Sequence, residues 1–409
     1  MTTHRSRTVP RMAILSATAC AALALSACAG QATAGPAADS MAEMDPITIT
    51  ISDMSPESAP SGQAWAMVAE YVEEESDGKI TFESYFSSAL MPGEEMLTGV
   101  GSRVADTGLM VTSYFPQELP IANFLNDLGA LPNTSFPLGE LQASAATSEM
   151  FAQSEELVAE FESHNLKVLN GGYSHRYPLL CSKPIDSLAD AQGMRARTGG
   201  PVWGDELEAM GMVPVPLPVG EMYEGLQRGV VDCVVLNPPS IVDFGLWEVA
   251  KHYYQVDMSG FVGSVLIFNL DTWNSLPPDA QELMQEGADR YWAVSRERTI
   301  EKYAAFATAG VEEHGVEFGD TREFDEVLAE FQEDKLANIA ELAPGSLGDP
   351  QQFVERYQDL LDKWLAILVD DLGFEEADKD PESVRQSFVE VEGLDVSPVI
   401  ERLAEEQRG

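Results

Sequence analysis

The chain has 409 residues, 44% of them hydrophobic, and 68 acidic against 24 basic side chains give it a formal charge of −44. That length is enough for two lobes, and the charge excludes nucleic acid as a partner, because phosphate contacts need a basic surface. The acidity reads as a solvated surface that aids solubility. It also repels an anionic ligand, but salt confines that repulsion to about 8 Å at physiological ionic strength, so basic groups inside a cleft still set the local potential.

Arg5, Arg7 and Arg11 precede an apolar run from Met12 to Leu25, too short for a membrane span but suited to a signal h-region. It ends in Leu25-Ser26-Ala27-Cys28, which resembles a bacterial lipobox. Residues 1–27 are therefore expected to be removed and Cys28 to carry the lipid that anchors the protein outside the cytoplasm. Ordinary signal cleavage nearby is the alternative. Residues 28–45, rich in alanine, glycine and small polar groups, read as a flexible tether. Cys181 and Cys233 remain; a disulfide and a pair of buried free thiols both stay open, since sequence does not supply the Cα separation.

Strand and helix signals then alternate. Ile47, Ile49 and Ile51 mark a strand by their period of two, and Pro60-Ser61-Gly62 opens a helix with Trp65, Val68 and Val72 on one face, stopped at Ser76-Asp77-Gly78. Ile80-Thr81-Phe82 starts the next strand and Glu94 to Val104 another helix, an order that favours a parallel sheet covered by helices. A second α/β unit starts near Lys167-Val168-Leu169. Pro214, Pro216 and Pro218 alternate with Val213, Val215 and Leu217, which confines that stretch to an edge strand or an extended connection. Ile241 to Tyr254 reads as helical and Val265 to Leu270 as a buried strand returning to the first sheet. Pro277 to Glu313 is the longest helical stretch, either unbroken or split near Gly287 or Gly310. Beyond Gly345, Phe353, Tyr357, Leu360, Leu361 and Trp364 fall at helical spacing, and packing is the expected role of this tail.

The most informative block is 191–240. Arg197 ends a short strand-like run, Arg176 lies upstream, and Glu221 to Arg228 reads as a helix closed by Gly229 and followed by a buried strand. A guanidinium fork pairs with two carboxylate oxygens at once and keeps its charge at any physiological pH. Arg195 is expected at solvent, while Glu221 and Asp232 are expected to be structural.

Gln192-Gly193-Met194-Arg195-Ala196-Arg197 is similar to K-G-L-K-I-R, and Glu221-x-Tyr223-x-x-Leu226-Gln227-x-Gly229-x-Val231-Asp232 to E-V-Y-x-A-L-Q-x-G-x-V-D-G. On these motifs the chain resembles the extracytoplasmic solute-binding proteins of TRAP transporters, with weaker similarity from about Ile47 to about Phe318. The resemblance implies an α/β, two-lobed architecture of the periplasmic-binding-protein type II kind, with a hinge and a long spine helix. It implies a first lobe of residues 46–172 and 262–300, a second of 173–261 and 301–345, and leaves 346–409 as a C-terminal helical extension. It further implies capture of a small organic acid by lobe closure, delivery to TRAP permease subunits, and a monomer without cofactor, metal or enzymatic role.

By the same resemblance Arg197 matches the carboxylate-binding arginine and Arg176 a second arginine near the ligand. The family's asparagine position holds Leu236 here, with Asn237 one residue later, and a one-residue shift in a strand aims a side chain at the other face unless the following prolines re-aim it. Cys233, Val234 and Val235 replace residues that are small or polar in the family, and Val219 stands where many dicarboxylate binders carry an aromatic. An apolar wall follows, favouring a monocarboxylate with an apolar or aromatic body over a small dicarboxylate. Trp203 and Tyr173 join Val219 as candidate contacts, and loops near Asp53 and Thr112 are expected to complete the enclosure. The rival classes are a ligand-sensing partner of a signalling receptor and a lipid-anchored hydrolase. The five histidines form no HExxH, and no G-x-S-x-G, GxxxxGK[ST] or CxxC motif occurs.

Overall fold

The computed structural model describes residues 40–376, 378 and 380–408. The expected signal, the lipid site Cys28 and most of the tether fall outside the described residues. In chain order the strands are β1 (Ile47–Ser52), β2 (Ile80–Tyr85), β3 (Thr107–Val111), β4 (Leu166–Ser174), β5 (Tyr177–Cys181), β6 (Arg195–Thr198), β7 (Val213–Pro216), β8 (Cys233–Val235), β9 (His252–Met258), β10 (Phe261–Asn269) and β11 (Glu317–Phe318). They form two sheets, ordered β2-β1-β3-β10-β4 and β11-β9-β5-β8-β6-β7.

In the first sheet β1 runs parallel to β2 and β3, while β10 returns antiparallel between β3 and β4. Lys167 to Leu169 therefore close the first sheet rather than opening the second, because β4 finds its partner in the distant β10. In the second sheet β7 pairs only with β6 and forms an edge, as its alternating prolines require. Chain passes between the sheets at His175-Arg176, joining β4 to β5, and at Ser259-Gly260, joining β9 to β10. At the second crossing a Cβ on Gly260 would sit 2.0 Å from the Tyr173 hydroxyl oxygen, so only glycine fits.

Isoleucines 49 and 51 are fully buried and pack, with Trp65, Val68 and Val72 of the helix Pro60–Glu75, against Leu283, Met284 and Tyr291. Burying each such side chain contributes roughly 1.5–3 kcal/mol. The last three belong to an unbroken helix, Pro278–Glu312, whose 35 residues span about 52 Å at 1.5 Å each. Neither internal glycine breaks it; Gly287 allows close approach, since its Cβ would meet Val72 at 3.1 Å. This is the spine helix.

A helix expectation is corrected and an open alternative is decided. Ile241 to Tyr254 is not one helix: Pro238–Asp243 ends before Gly245, whose φ of 63° is left-handed, and Tyr253 and Tyr254 enter β9. Aromatic residues suit a pleated surface, and β5 supplies the pairing edge. Cys181 and Cys233, opposite each other across β5 and β8, form a disulfide, so the free-thiol alternative falls.

The tail forms the helices Pro350–Ala366, Pro381–Glu390 and Ser397–Arg408. Phe353, Tyr357, Leu361 and Trp364 are buried on the helix Leu138–Gln153, with Gln142 Nε2 donating to Leu361 O at 2.9 Å and Trp364 Nε1 to Glu149 at 2.7 Å. Leu138–Gln153 is buried almost throughout because the tail covers the face that the sheet leaves open.

Candidate functional site

Where the two sheets meet, a cavity of about 190 Å³ is closed at the back by the spine helix. The first-sheet side supplies Ser61, Ser113 and Tyr114; the second supplies Arg197, Trp203, Val219 and Asn237. Ser113 Oγ donates to Gly199 O at 3.0 Å across the join.

Arg197 is third in the four-residue strand β6, flanked by β7 and β8, and is only 3% exposed. Its Nε donates to Leu217 O at 2.9 Å and Nη1 to Val235 O at 3.4 Å. Among the described residues it makes no ion pair with a carboxylate. Tyr114 lies beside it, its phenol pushed to higher pKa by burial, against the opposing pull of the arginine. A buried cation held by carbonyl dipoles and a phenol is short of a counter-charge. Gly199 lets the backbone pass within contact distance of this guanidinium, since a Cβ there would lie 3.2 Å from Nη1.

Asn237 reaches the cavity by a route the strand register does not anticipate. β8 stops at Val235, and Asn237 caps the helix Pro238–Asp243, accepting from Ser240 N at 3.1 Å while Nδ2 donates to Ser174 Oγ at 3.1 Å. The prolines at the start of that helix turn both Leu236 and Asn237 into the wall. Trp203 stacks on Tyr177 with centroids 4.9 Å apart and donates from Nε1 to Ser259 O at 2.7 Å. It is therefore held rigidly against the cavity. Val219 lies in the wall as well.

Arg176 and Tyr173 take other places. Arg176 is 4% exposed and outside the cavity wall. Its Nη2 donates to Ala130 O at 2.5 Å and Pro132 O at 3.2 Å, and its Nη1 to Asp257 O at 3.3 Å and Gln332 Oε1 at 3.5 Å. Those acceptors come from segments remote in sequence, so the guanidinium is spent tying the hinge region together. Tyr173 points away from its strand neighbours Gly172 and Ser174, which do line the cavity, and its ring is fully buried under Gly260. Asp53 and Thr112 are themselves buried behind the wall, while their loop neighbours Met54, Ser55, Ser113 and Tyr114 line it. Arg195 stays half exposed, its Nε 3.2 Å from Asp232.

Sequence reasoning anticipated the spine helix but none of its cavity-lining residues. Tyr291, Trp292, Ser295, Arg296 and Thr299 all line the cavity, and the available signal was polar side chains at helical spacing along an otherwise apolar face. Arg296 Nη1 lies 2.5 Å from Glu140 Oε1 and 2.6 Å from Tyr173 O. Burial pushes the Glu140 carboxyl above its ordinary range, against the pull of Arg296.

Residues 51–341 match the family model described as bacterial extracellular solute-binding protein, family 7. The C4-dicarboxylate-binding periplasmic protein DctP of Rhodobacter capsulatus is 24% identical over 304 residues, 72% of this chain and 88% of that protein. The ectoine-binding periplasmic protein TeaA of Halomonas elongata is 28% identical over 231 residues, 55% of this chain and 62% of its own length. The fold is similar to that of DctP7 of Bordetella pertussis, an extracytoplasmic solute receptor binding pyroglutamic acid, at a TM-score of 0.63 and 20% identity over 76% of this chain and 99% of that one. It is equally similar, at a TM-score of 0.63 and 21% identity over 76% of this chain and 100% of the other, to a TRAP periplasmic solute-binding protein of Sulfitobacter with bound β-D-galacturonate. The chain belongs to the family 7 bacterial extracellular solute-binding proteins, the extracytoplasmic solute receptors of TRAP transporters.

Proposed function

We propose that this protein is tethered outside the cytoplasm by lipid on Cys28, closes its lobes on a small organic monocarboxylate, and hands that acid to a TRAP permease. Arg197 grips the carboxylate; Asn237 orients it from its helix cap; Trp203 and Val219 bound its body. The observation that carries this reading is the buried Arg197 guanidinium, held in the cavity by carbonyl oxygens and the Tyr114 phenol, with no carboxylate partner among the described residues. An entering carboxylate supplies the missing charge, and closure strengthens the pair by excluding water. The ligands of the two structural neighbours, pyroglutamic acid and galacturonate, are both carboxylic acids, which agrees with that chemistry. The apolar and aromatic wall of Tyr177, Trp203, Val219 and Leu236 favours one acid group on a body with an apolar face.

A thermal-shift screen of the purified protein against carboxylic acids tests this. A ligand at a hundred times its Kd adds about 2.7 kcal/mol to the folded state, which raises the melting temperature by a few degrees. Tight binding of succinate or malate, with no response to ring-bearing or branched monocarboxylates, defeats the monocarboxylate assignment.

A further inference from the structure

The C-terminal helices, from Pro350 onward, lie beyond residue 341, where the match to the family model ends, so the shared fold does not account for them. Their first helix, Pro350–Ala366, is fixed to the first-sheet lobe. Tyr357 Oη lies 3.1 Å from Thr147 Oγ1, Lys363 Nζ lies 2.9 Å from Glu149 Oε1, and Phe353 packs on Phe124 with ring centroids 5.9 Å apart. Glu406 of the last helix closes on the same Lys363 at 2.9 Å, so both ends of the tail share one anchorage.

The middle helix, Pro381–Glu390, reaches further. Its Phe388 is buried and meets rings from both lobes. Phe136, at the head of the helix Leu138–Gln153, lies 5.0 Å away between centroids; Phe318 of β11 and Tyr253 of β9 lie 6.3 and 6.5 Å away. Tyr303 of the spine helix completes the ring cluster at 4.9 Å. The cluster sits behind the crossing from β4 to β5. Ser174 and Tyr177, on either side of that crossing, line the cavity, whereas His175 turns the other way, toward Phe136 and Phe388. The hinge backbone therefore runs between the cavity and Phe388.

When lobes swing apart in front of a hinge, their surfaces behind it approach each other. Here that approach has almost no slack: the space left among Phe136, His175, Val384 and Phe388 is about 20 Å³, room for about one water. Packed interiors do not compress, so opening has to drive Phe388 out of its ring cluster and into water. In front of the hinge the lobes are joined, Ser113 Oγ donating to Gly199 O.

We infer that the C-terminal arm is a wedge: anchored on the first-sheet lobe, it sets Phe388 behind the hinge and biases the two lobes toward their closed arrangement. Entry and release of the ligand then both wait on the wedge giving way, so the arm slows exchange and holds the cargo longer. The inference needs lobe closure as the binding motion; it is independent of which acid binds and of whether Arg197 grips it.

Double electron–electron resonance on the full-length, dialysed protein tests it. Glu94 and Glu208 are exposed on the two banks of the groove where the lobes meet outside the cavity. Spin labels at these positions, carried on a genetically encoded keto side chain so that the native cysteines stay untouched, report opening. The unaltered protein should show one short distance, with the open form at about 10% or less. Phe388→Ala should add a longer distance and raise its population severalfold; Phe388→Leu, which keeps the cluster apolar and the arm docked, should add a smaller share of it. Phe353→Leu, in the part of the arm that packs on the first-sheet lobe, should lower the melting temperature as Phe388→Leu does, yet leave the distances unchanged. The inference is overturned if the unaltered protein is mostly open, if neither folded Phe388 variant lengthens the distance, or if Phe353→Leu opens the cleft as far as they do.

Discussion

Replacing each of the two arginines in turn by glutamine separates a ligand grip from a structural clamp. Arg197 has two carbonyl bonds, a phenol neighbour and no carboxylate partner among the described residues, so under the proposed function its strongest interaction comes from the ligand. Removing one member of a buried, hydrogen-bonded charge pair costs about 2–5 kcal/mol of binding, or roughly 30- to 4,000-fold in Kd at about 1.4 kcal/mol per decade. The same change removes an uncompensated buried cation, so the ligand-free protein should lose no more than about 1 kcal/mol of stability. Arg176→Gln should behave in the opposite way. It strips the donor from the carbonyls of Ala130, Pro132 and Asp257, and at about 1 kcal/mol net per bond the fold should lose roughly 3 kcal/mol. Its effect on Kd should stay under about tenfold, because it does not reach the cavity wall. Titration calorimetry and urea unfolding on both variants give the full comparison. If Arg176→Gln destroyed binding while its unfolding midpoint stayed put, the placement of Arg176 as a clamp would be refuted.

Other parts of the structure make equally definite demands. Burial pushes the Asp53 carboxyl up to about 6, from 3.8, with the hydrogen bond from Ser55 opposing. The stability linked to this raised group is fully present below pH 3.8 and is lost as pH rises through 6, about 3 kcal/mol in all. Asp53→Asn should therefore be more stable than the unaltered protein at pH 8 and should flatten the profile between pH 4 and 7; a less stable variant at pH 8 in urea titrations contradicts this. The Cys181–Cys233 bridge spans 52 residues of sequence, so loop-closure entropy assigns it about 4 kcal/mol, and equal unfolding midpoints with and without reductant would exclude that contribution. Phe388 of the tail meets Phe136 at 5.0 Å and Tyr303 at 4.9 Å between ring centroids. Phe388→Ala should cost about 3–5 kcal/mol, and a chain ending at residue 345 should aggregate when expressed, which a sedimentation assay reports.

What the sequence made legible was local. The isoleucine alternation, Pro60 at a helix start, the prolines of β7 and the long uninterrupted run to Glu312 each follow from the period or φ preference of a few neighbouring residues. The Arg197 motif was legible too, because the short strand, the following helix and the Gly229 turn lie within forty residues. What stayed hidden depended on remote partners. Tyr253 and Tyr254 look helical until β5 offers an edge. Arg176 looks like a ligand arginine until carbonyls from residues 130–132 and 257 close around it. Asn237 looked out of register because the end of β8 and the helix cap that re-aims the side chain are set by tertiary contacts. Arg296 escaped notice since its counter-ion, Glu140, lies 156 residues away.

The acidic surface and the cavity pull in opposite directions, and their distances reconcile them. At −44 the chain as a whole repels an organic anion, yet that field fades within about 8 Å at physiological ionic strength. Inside the cavity the field is set by neighbours a few ångströms away, where Arg197 has no carboxylate partner among the described residues while Arg296 and Lys302 are each matched by one. One end of the cavity is thus electropositive and the other close to neutral. An acid enters most favourably with its carboxylate toward Arg197 and its uncharged body toward the spine helix, and a diacid leaves one charge at the neutral end without a partner. Under the proposed function, selectivity for a single acid group would follow from where the carboxylates sit, not from how many arginines the cavity holds.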